Sequence, residues 1–141
     1  MTIRNMTPRD YPSLYDLWIR TEGMGLNPRD DSRDGIERYL RRNPSTCFVA
    51  EESGQIVGGI LAGHDGRRGF LYHTAVAKDF RKQGIGRQLV KRALCALESE
   101  GIHKVALVAL KKNQTGNAFW EKLGFPARGD LVYRNRTIPR D

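Results

Sequence analysis

The chain has 141 residues, which fits one domain with room for a core of its own. Hydrophobic residues make up 39% and charged residues 28%, the balance of an ordinary soluble globular protein. The formal net charge is +8, from 24 basic and 16 acidic residues, so the partners to consider are nucleic acid, anionic lipid or an anionic cofactor. No apolar run is long enough to span a membrane, and Met1-Thr2-Ile3-Arg4 has no signal-peptide core, so the expected compartment is the cytoplasm with no membrane partner. Cys47 and Cys95 make no C-x-x-C pair and are expected to be reduced.

Residues 1–6 read as a first strand. Thr7-Pro8-Arg9-Asp10 is a helix start, with Thr as N-cap, Pro at the first helical position and an acid at N3. Tyr11, Leu14, Tyr15 and Trp18 follow at helical spacing as an apolar face. Glu22-Gly23-Met24-Gly25-Leu26-Asn27-Pro28 is a glycine-rich loop whose Met and Leu are expected to be exposed. A second helix starts at Asp31 or Ser32, presents Ile36, Tyr39 and Leu40, and stops before Asn43-Pro44. Cys47 to Glu51 and Gln55 to Gly63 form a hairpin around Ser53-Gly54, and Gly58-Gly59 predicts a bulge or close backbone packing. After a polar turn, Phe70 to Ala77 reads as the central strand. A third helix carries Ile85, Leu89, Val90, Ala93, Leu94 and Leu97 on one face and ends at Gly101. Lys104 to Leu110 predicts a strand buried on both faces, Thr115 is expected to cap a fourth helix, and Phe125–Arg128 and Leu131–Thr137 are expected to be final strands. There are no repeats and no linkers, so residues 1–141 are expected to be one domain. The order predicts an α/β (α+β) fold with a mixed, mostly antiparallel sheet of about seven strands and helices on both faces.

Arg81-Lys82-Gln83-Gly84-Ile85-Gly86-Arg87 lies between the central strand and the third helix. Glycine lets a ligand approach the backbone, and the first N–H groups of a helix lack intrahelical partners and carry partial positive charge. A strand, a glycine turn and a helix start together make a phosphate cradle. From Lys78 to Arg92 the basic residues Lys78, Arg81, Lys82, Arg87, Lys91 and Arg92 face only one acid, Asp79. That excess around one turn suits a small polyanion. A nucleic-acid module more often interleaves basic residues with exposed aromatics, which this segment does not do.

A second motif, Asn113-x-x-Gly116-x-x-Phe119-Trp120-Glu121-Lys122-Leu123-Gly124-Phe125, follows the Lys104–Leu110 segment. With Arg81-x-x-Gly84-x-Gly86 it resembles the GNAT superfamily, the Gcn5-related N-acetyltransferases, over essentially the whole chain. Gly66-Arg67-Arg68-Gly69 and Tyr72-His73-Thr74-Ala75-Val76 look like a small bacterial branch similar to ribosomal-protein-alanine N-acetyltransferases. The resemblance implies a GNAT fold with a central splayed parallel strand pair and four helices. It implies acetyl-CoA as donor, CoA as product, no metal, and a primary amine as acceptor. The backbone N–H groups of Lys82, Gln83, Gly84, Ile85, Gly86 and Arg87 would hold the CoA pyrophosphate, with charge from Arg81 and Lys82. Backbone groups of Ala75 and Val76 would bond the pantetheine amides, one N–H meeting the thioester oxygen. Asn113 would bond the pantetheine or its neighbouring backbone.

Direct transfer needs a neutral amine, and a lysine-like amine has a pKa of about 10.4, so a base is expected. Tyr72, His73, Glu51 and Glu22 are the residues considered. Strand alternation puts Tyr72 and His73 on opposite faces, with Tyr72 facing the cleft and His73 a core histidine bonded to backbone, although histidine is the residue type that titrates near neutrality. In the family a Tyr within the second motif often protonates the leaving thiolate; Trp120 stands there, and an indole N–H cannot serve as that acid. Trp120 is then expected to pack against the pantetheine sulfur, with Tyr133 or water supplying the proton. Glu22, Asp30, Asp31 and Asp34 make the loop locally acidic, which suits a cationic amine or simply caps the second helix. Gly23-Met24-Gly25-Leu26 reads as a mobile lid or a homodimer contact. Two readings stand beside acetyl transfer: a GNAT-like domain that binds CoA for regulation without catalysis, and a basic nucleic-acid-binding module.

Overall fold

The computed structural model describes residues 1–139. Strands β1 (Thr2–Asn5), β2 (Phe48–Glu52), β3 (Gln55–His64) and β4 (Gly69–Val76) pair antiparallel in that order, and β5 (Val105–Ala106) adds parallel to β4. Helices α1 (Tyr11–Ile19) and α2 (Arg33–Arg42) lie between β1 and β2 in sequence, α3 (Ile85–Ser99) crosses from β4 to β5, and α4 (Gln114–Lys122) follows. The mixed, mostly antiparallel sheet with a parallel pair and four helices is the expected fold class. The chain gathers into two compact units, Met1–Leu110 and the residues from Lys111 onward.

Adjacent glycines of β3 show how the first unit is layered. A Cβ on Gly58 would meet Leu89 and Ile85 of α3, whereas one on Gly59 would meet Leu14 of α1 at 2.6 Å. Successive strand residues face opposite sides, so α3 covers one face and α1 covers the other. Leu14, Leu17, Trp18, Ile36 and Leu40 pack on the α1 side with Cys47, Val49, Leu61 and Ala75. On the far side Ile85, Leu89, Val90, Ala93 and Leu97 are buried, close to the expected α3 stripe. Leu17 is buried where Tyr15 was expected, and Tyr15 is exposed. Burial pushes the Cys47 thiol up to about 12, and both cysteines are free. No helix among the described residues is long and apolar enough to cross a membrane.

The expected local signals operate with some shifts. Ser53 and Gly54 take positive φ values of 50° and 78° at the hairpin turn, the backbone that a two-residue hairpin favours. Ser32 caps α2 by accepting from Gly35 N–H at 3.0 Å. At the start of α1 the Asp10 carboxylate accepts from Thr7 N–H at 2.8 Å and takes two bonds from Arg4, at 2.8 and 2.9 Å. Met24 and Leu26 are half-buried against the α1–α2 core rather than exposed. The glycine-rich loop is therefore docked by its apolar side chains.

Three expectations about the C-terminal third fail. Only Val105–Ala106 forms a strand, and Val108 and Leu110 are exposed, so the segment is not buried on both faces. The cap of α4 is Asn113, whose side chain accepts from Gly116 N–H, and not Thr115. Residues 125–139 contain no strand, and the sheet has five strands rather than about seven. Leu131, Val132 and Tyr133 are exposed. Strand propensity reports fit to a half-buried pleated surface, and here no neighbouring strand provides one.

Gly35 is required where α2 meets the loop before it. A Cβ there would sit 2.4 Å from the carbonyl oxygens of both Arg29 and Asp30. Backbone cannot yield as a side-chain tip can, so Gly35→Ala is expected to destabilise the protein by about 1–3 kcal/mol, as overpacking does, read as a lower midpoint in urea unfolding followed by circular dichroism.

Candidate active site

Strand β4 carries the residues on which most of the site rests, and it is not regular. Tyr72 opposes Leu61 and Ala75 opposes Gly59 in β3. Ile60 therefore faces two residues, His73 and Thr74, which form a β-bulge. His73 takes a left-handed φ of 29°, a backbone state that costs a non-glycine residue about 1–3 kcal/mol. The extra residue resets alternation. Tyr72 meets Tyr39 of α2 edge-on, with ring centroids 6.0 Å apart, and packs at a tilt against Phe70 at 4.7 Å. His73 packs edge-on against Trp18 of α1 at 4.9 Å. Both side chains thus lie on the α1–α2 side, and the expectation of opposite faces is corrected by the bulge.

His73 bonds a carboxylate rather than backbone. Its Nε2 lies 2.7 Å from Asp31 Oδ1, with the carboxylate buried and the ring largely so. The second oxygen, Oδ2, accepts from Asn27 N–H at 2.7 Å. The Asp31 carbonyl accepts from Tyr11 Oη at 2.7 Å. Burial alone raises the Asp31 carboxyl, but the bonds from His73 and Asn27 outweigh it and hold the group below its ordinary value. Desolvation raises the Tyr11 hydroxyl, which therefore stays a donor. No sequence signal could have found this pair, because 42 residues separate its members. Asp31 reads in the sequence as one loop acid among several; Glu22, Asp30 and Asp34 are indeed exposed.

The other end of β4 leads into the glycine turn. Arg81 Nε–H donates to the Val76 carbonyl at 2.9 Å, tying the turn to the strand. Lys82 and Gly84 both take left-handed φ values, 63° and 80°. Gly84 is the N-cap of α3, and the first i→i−4 bond is made by Gln88 N–H to Gly84 at 3.0 Å. The N–H groups of Ile85, Gly86 and Arg87 precede that bond, so the helix ladder does not use them. Left-handed residues in alternation turn successive N–H groups toward one point, an anion nest, and the helix dipole adds positive potential there. A cleft of about 190 Å³ lined by Leu17, Arg20, Thr21, Ala77, Lys78 and Arg81 opens beside the turn.

The edge of β4 is open between these features. Gly58 and Gly59 of β3 pair with Val76 and Ala75 on one side. On the other side β5 pairs only with Gly69 and Phe70, through Val105 and Ala106. From Leu71 onward no described strand covers that edge, because β5 is only two residues long where a longer strand splaying from β4 was expected. Backbone groups of Ala75 and Val76 thus lie on a strand with one edge uncovered, just before the anion nest.

Other residues read from the sequence have different surroundings. Glu51 is held by Arg4 at 2.8 Å and serves an ion pair. Within the second unit, Asn113 caps α4, and Trp120 packs against Phe119 and Phe125 at 4.9 and 5.4 Å. Tyr133 is exposed and accepts from Asn135 Nδ2 at 3.4 Å. Among the described residues no group of three or more His, Cys, Asp or Glu is placed to hold a metal.

Residues 11–125 match the acetyltransferase (GNAT) family model, and the chain belongs to that family of acetyl-CoA-dependent N-acetyltransferases. Acetyltransferases of Pectobacterium atrosepticum and Photorhabdus laumondii are each 35% identical, over 138 and 140 residues, spanning 98% of this chain and 96% of theirs. Among solved structures, the PaiA N-acetyltransferase of Thermoplasma acidophilum in complex with coenzyme A superposes with a TM-score of 0.78 at 18% identity, covering 90% of each chain. The ribosomal-protein-alanine N-acetyltransferase of Brucella melitensis gives 0.72 at 20% identity, covering 97% of this chain and 100% of that one. These structural likenesses establish the shared fold.

Asp31 and Asp10 are carboxylates whose ionised form the fold favours. Burial raises both carboxyls, but their hydrogen bonds, from His73 and Asn27 and from Arg4 and Thr7 respectively, hold both below the ordinary value of 3.8. The unfolded chain therefore takes up these protons first. Their contribution is complete above the unfolded value and is lost as pH falls through the lower folded values. Urea midpoints are expected to drop steeply below about pH 4, and the drop is expected to be shallower in Asp10→Asn.

Proposed function

We propose that the chain transfers the acetyl group of acetyl-CoA directly to a primary amine, carried by a small molecule, a peptide N-terminus or a lysine. One observation carries the reading: the uncovered edge of β4 runs from Tyr72 and the bulge residue His73 to a nest of N–H groups at the start of α3. A ligand with an anionic end and an amide-rich arm fits such a track. Acetyl-CoA, when bound, supplies an activated thioester. Lys82 to Arg87 offer the pyrophosphate their backbone N–H groups, and Arg81 and Lys78 add charge near the strand end. Ala75 and Val76 offer backbone bonds to the pantetheine amides, and an N–H beside the bulge polarises the thioester oxygen.

His73 is the group of this site best suited to take a proton from the incoming amine, since the bulge turns it toward the α1–α2 side with Tyr72 beside it. Tyr72, partly exposed, lines the approach of the acceptor. The acids of the α1–α2 loop favour a cationic acceptor. The family match crosses the boundary between the two compact units, which supports one N-acetyltransferase domain over the chain. The absence of a spanning helix among the described residues is compatible with work in the cytoplasm. Trp120, an indole at the position where the family often has a tyrosine acid, favours a second reading in which the domain binds CoA without turnover.

Calorimetry with acetyl-CoA tests the donor site. Gly86→Trp is expected to weaken binding at least tenfold while leaving the circular dichroism spectrum unchanged; unchanged affinity defeats the cradle. A panel of amines, including peptide N-termini, lysine peptides and polyamines, followed by free-thiol release and mass spectrometry, separates turnover from binding alone.

A further inference from the structure

We infer that Asp31 is a positioning residue for amine deprotonation, holding a proton of His73 on Nε2 so that Nδ1 is the ring nitrogen left to act as base. This rests on the amine acetyltransferase reading above. A carboxylate only accepts hydrogen bonds, so its 2.7 Å contact with Nε2 requires the proton to sit there. Asp31 cannot turn away to relax this demand, because Oδ2 is held by Asn27 N–H and the carbonyl by Tyr11 Oη. The ring cannot turn freely either, being packed on Trp18 and carried by a bulge residue of fixed left-handed φ.

The other nitrogen is left for chemistry. Among the described residues, the buried side-chain polar atoms without a partner are Trp18 Nε1 and Tyr39 Oη. His73 Nδ1 is not one of them, and the one side-chain hydrogen bond of the ring is made through Nε2, which leaves Nδ1 as the nitrogen not engaged by Asp31. In the step, the amine nitrogen bonds to the acetyl carbon and the carbon–sulfur bond breaks. An ammonium acceptor first loses one proton to solvent; the proton that the neutral amine sheds on bonding to carbon passes to His73 Nδ1, and the sulfur leaves as a thiolate that takes a proton from water. The Asp31 carboxylate then faces an imidazolium it stabilises, and it keeps its own charge throughout.

Asp31→Asn discriminates this role from a merely structural one. Asparagine can still accept from Asn27 N–H through its oxygen, but it donates from its amide to Nε2. That reverses the histidine tautomer and places the proton on Nδ1. Imidazole nitrogen NMR of the wild-type protein, which needs neither variant nor acceptor, is expected to show the Nε2–H form of His73, and Asp31→Asn the Nδ1–H form. With acetyl-CoA and the best amine of the panel, Asp31→Asn is expected to lower kcat at least tenfold with KM for acetyl-CoA within twofold. His73→Ala is expected to match that loss, and the double variant to add nothing, because Asp31 acts through His73. An Nδ1–H tautomer in the wild type, an undiminished kcat in Asp31→Asn, or a further loss in the double variant overturns the proposal. Acetyl-CoA binding without turnover of any amine sinks the acetyl-transfer reading and the role in turnover with it, while the tautomer still reports on the Asp31 geometry by itself.

Discussion

The contact between Asp31 and His73 joins two parts of the first unit that the sequence keeps far apart. One partner sits at the foot of the loop before α2, the other at the bulge in β4. His73 holds a backbone conformation that costs about 1–3 kcal/mol, and a hydrogen bond to a charged group contributes about 1.5–3 kcal/mol. The two terms are of the same size, so the contact is large enough to sustain the bulge. Its other tether, the pair of bonds to Asn27 and Tyr11, carries the same constraint into α1 and the loop. The bulge in turn decides which face Tyr72, His73 and Ala75 present, and therefore what can lie along β4.

Glycine and small spaces set the rest of the geometry. Gly59 lets α1 approach the sheet closely, and Gly35 lets α2 start hard against the loop carbonyls. With α1 and α2 close to the sheet, Trp18 reaches the bulge residue His73 and Tyr39 reaches Tyr72 just before it. At the opposite end of β4, Lys82 and Gly84 reverse the chain in left-handed steps and start α3 with its N–H groups unused by the helix. The local excess of basic side chains adds to that potential. The two ends of a single strand thus offer different groups, backbone amides at one and a carboxylate-bound histidine at the other.

Much of this was legible from the chain alone. Helical spacing located α1, α2 and α3, and the Ser53-Gly54 turn located the hairpin, because these signals are local and each has a backbone cause. The pairing of Arg81-x-x-Gly84-x-Gly86 with the Asn113 motif pointed to the family. Readings that depended on a neighbour were the ones that shifted. Val108 and Leu110 are apolar but exposed, and 131–137 has strand-like composition but no ladder, since propensity does not supply a partner strand. Asn113 displaced Thr115 as cap because its side chain reaches Gly116 N–H, a competition that composition does not rank.

The order of elements as far as α4, the positive turn at the start of α3 and the donor class were determined by sequence, through periodicity, glycine placement and charge, which act over a few residues. The tertiary structure alone decided the face of His73, its carboxylate partner and the length over which β5 pairs with β4. A bulge arises from register between strands, and a hydrogen bond across 42 residues arises from packing. Neither leaves a trace in the order of residues along the chain.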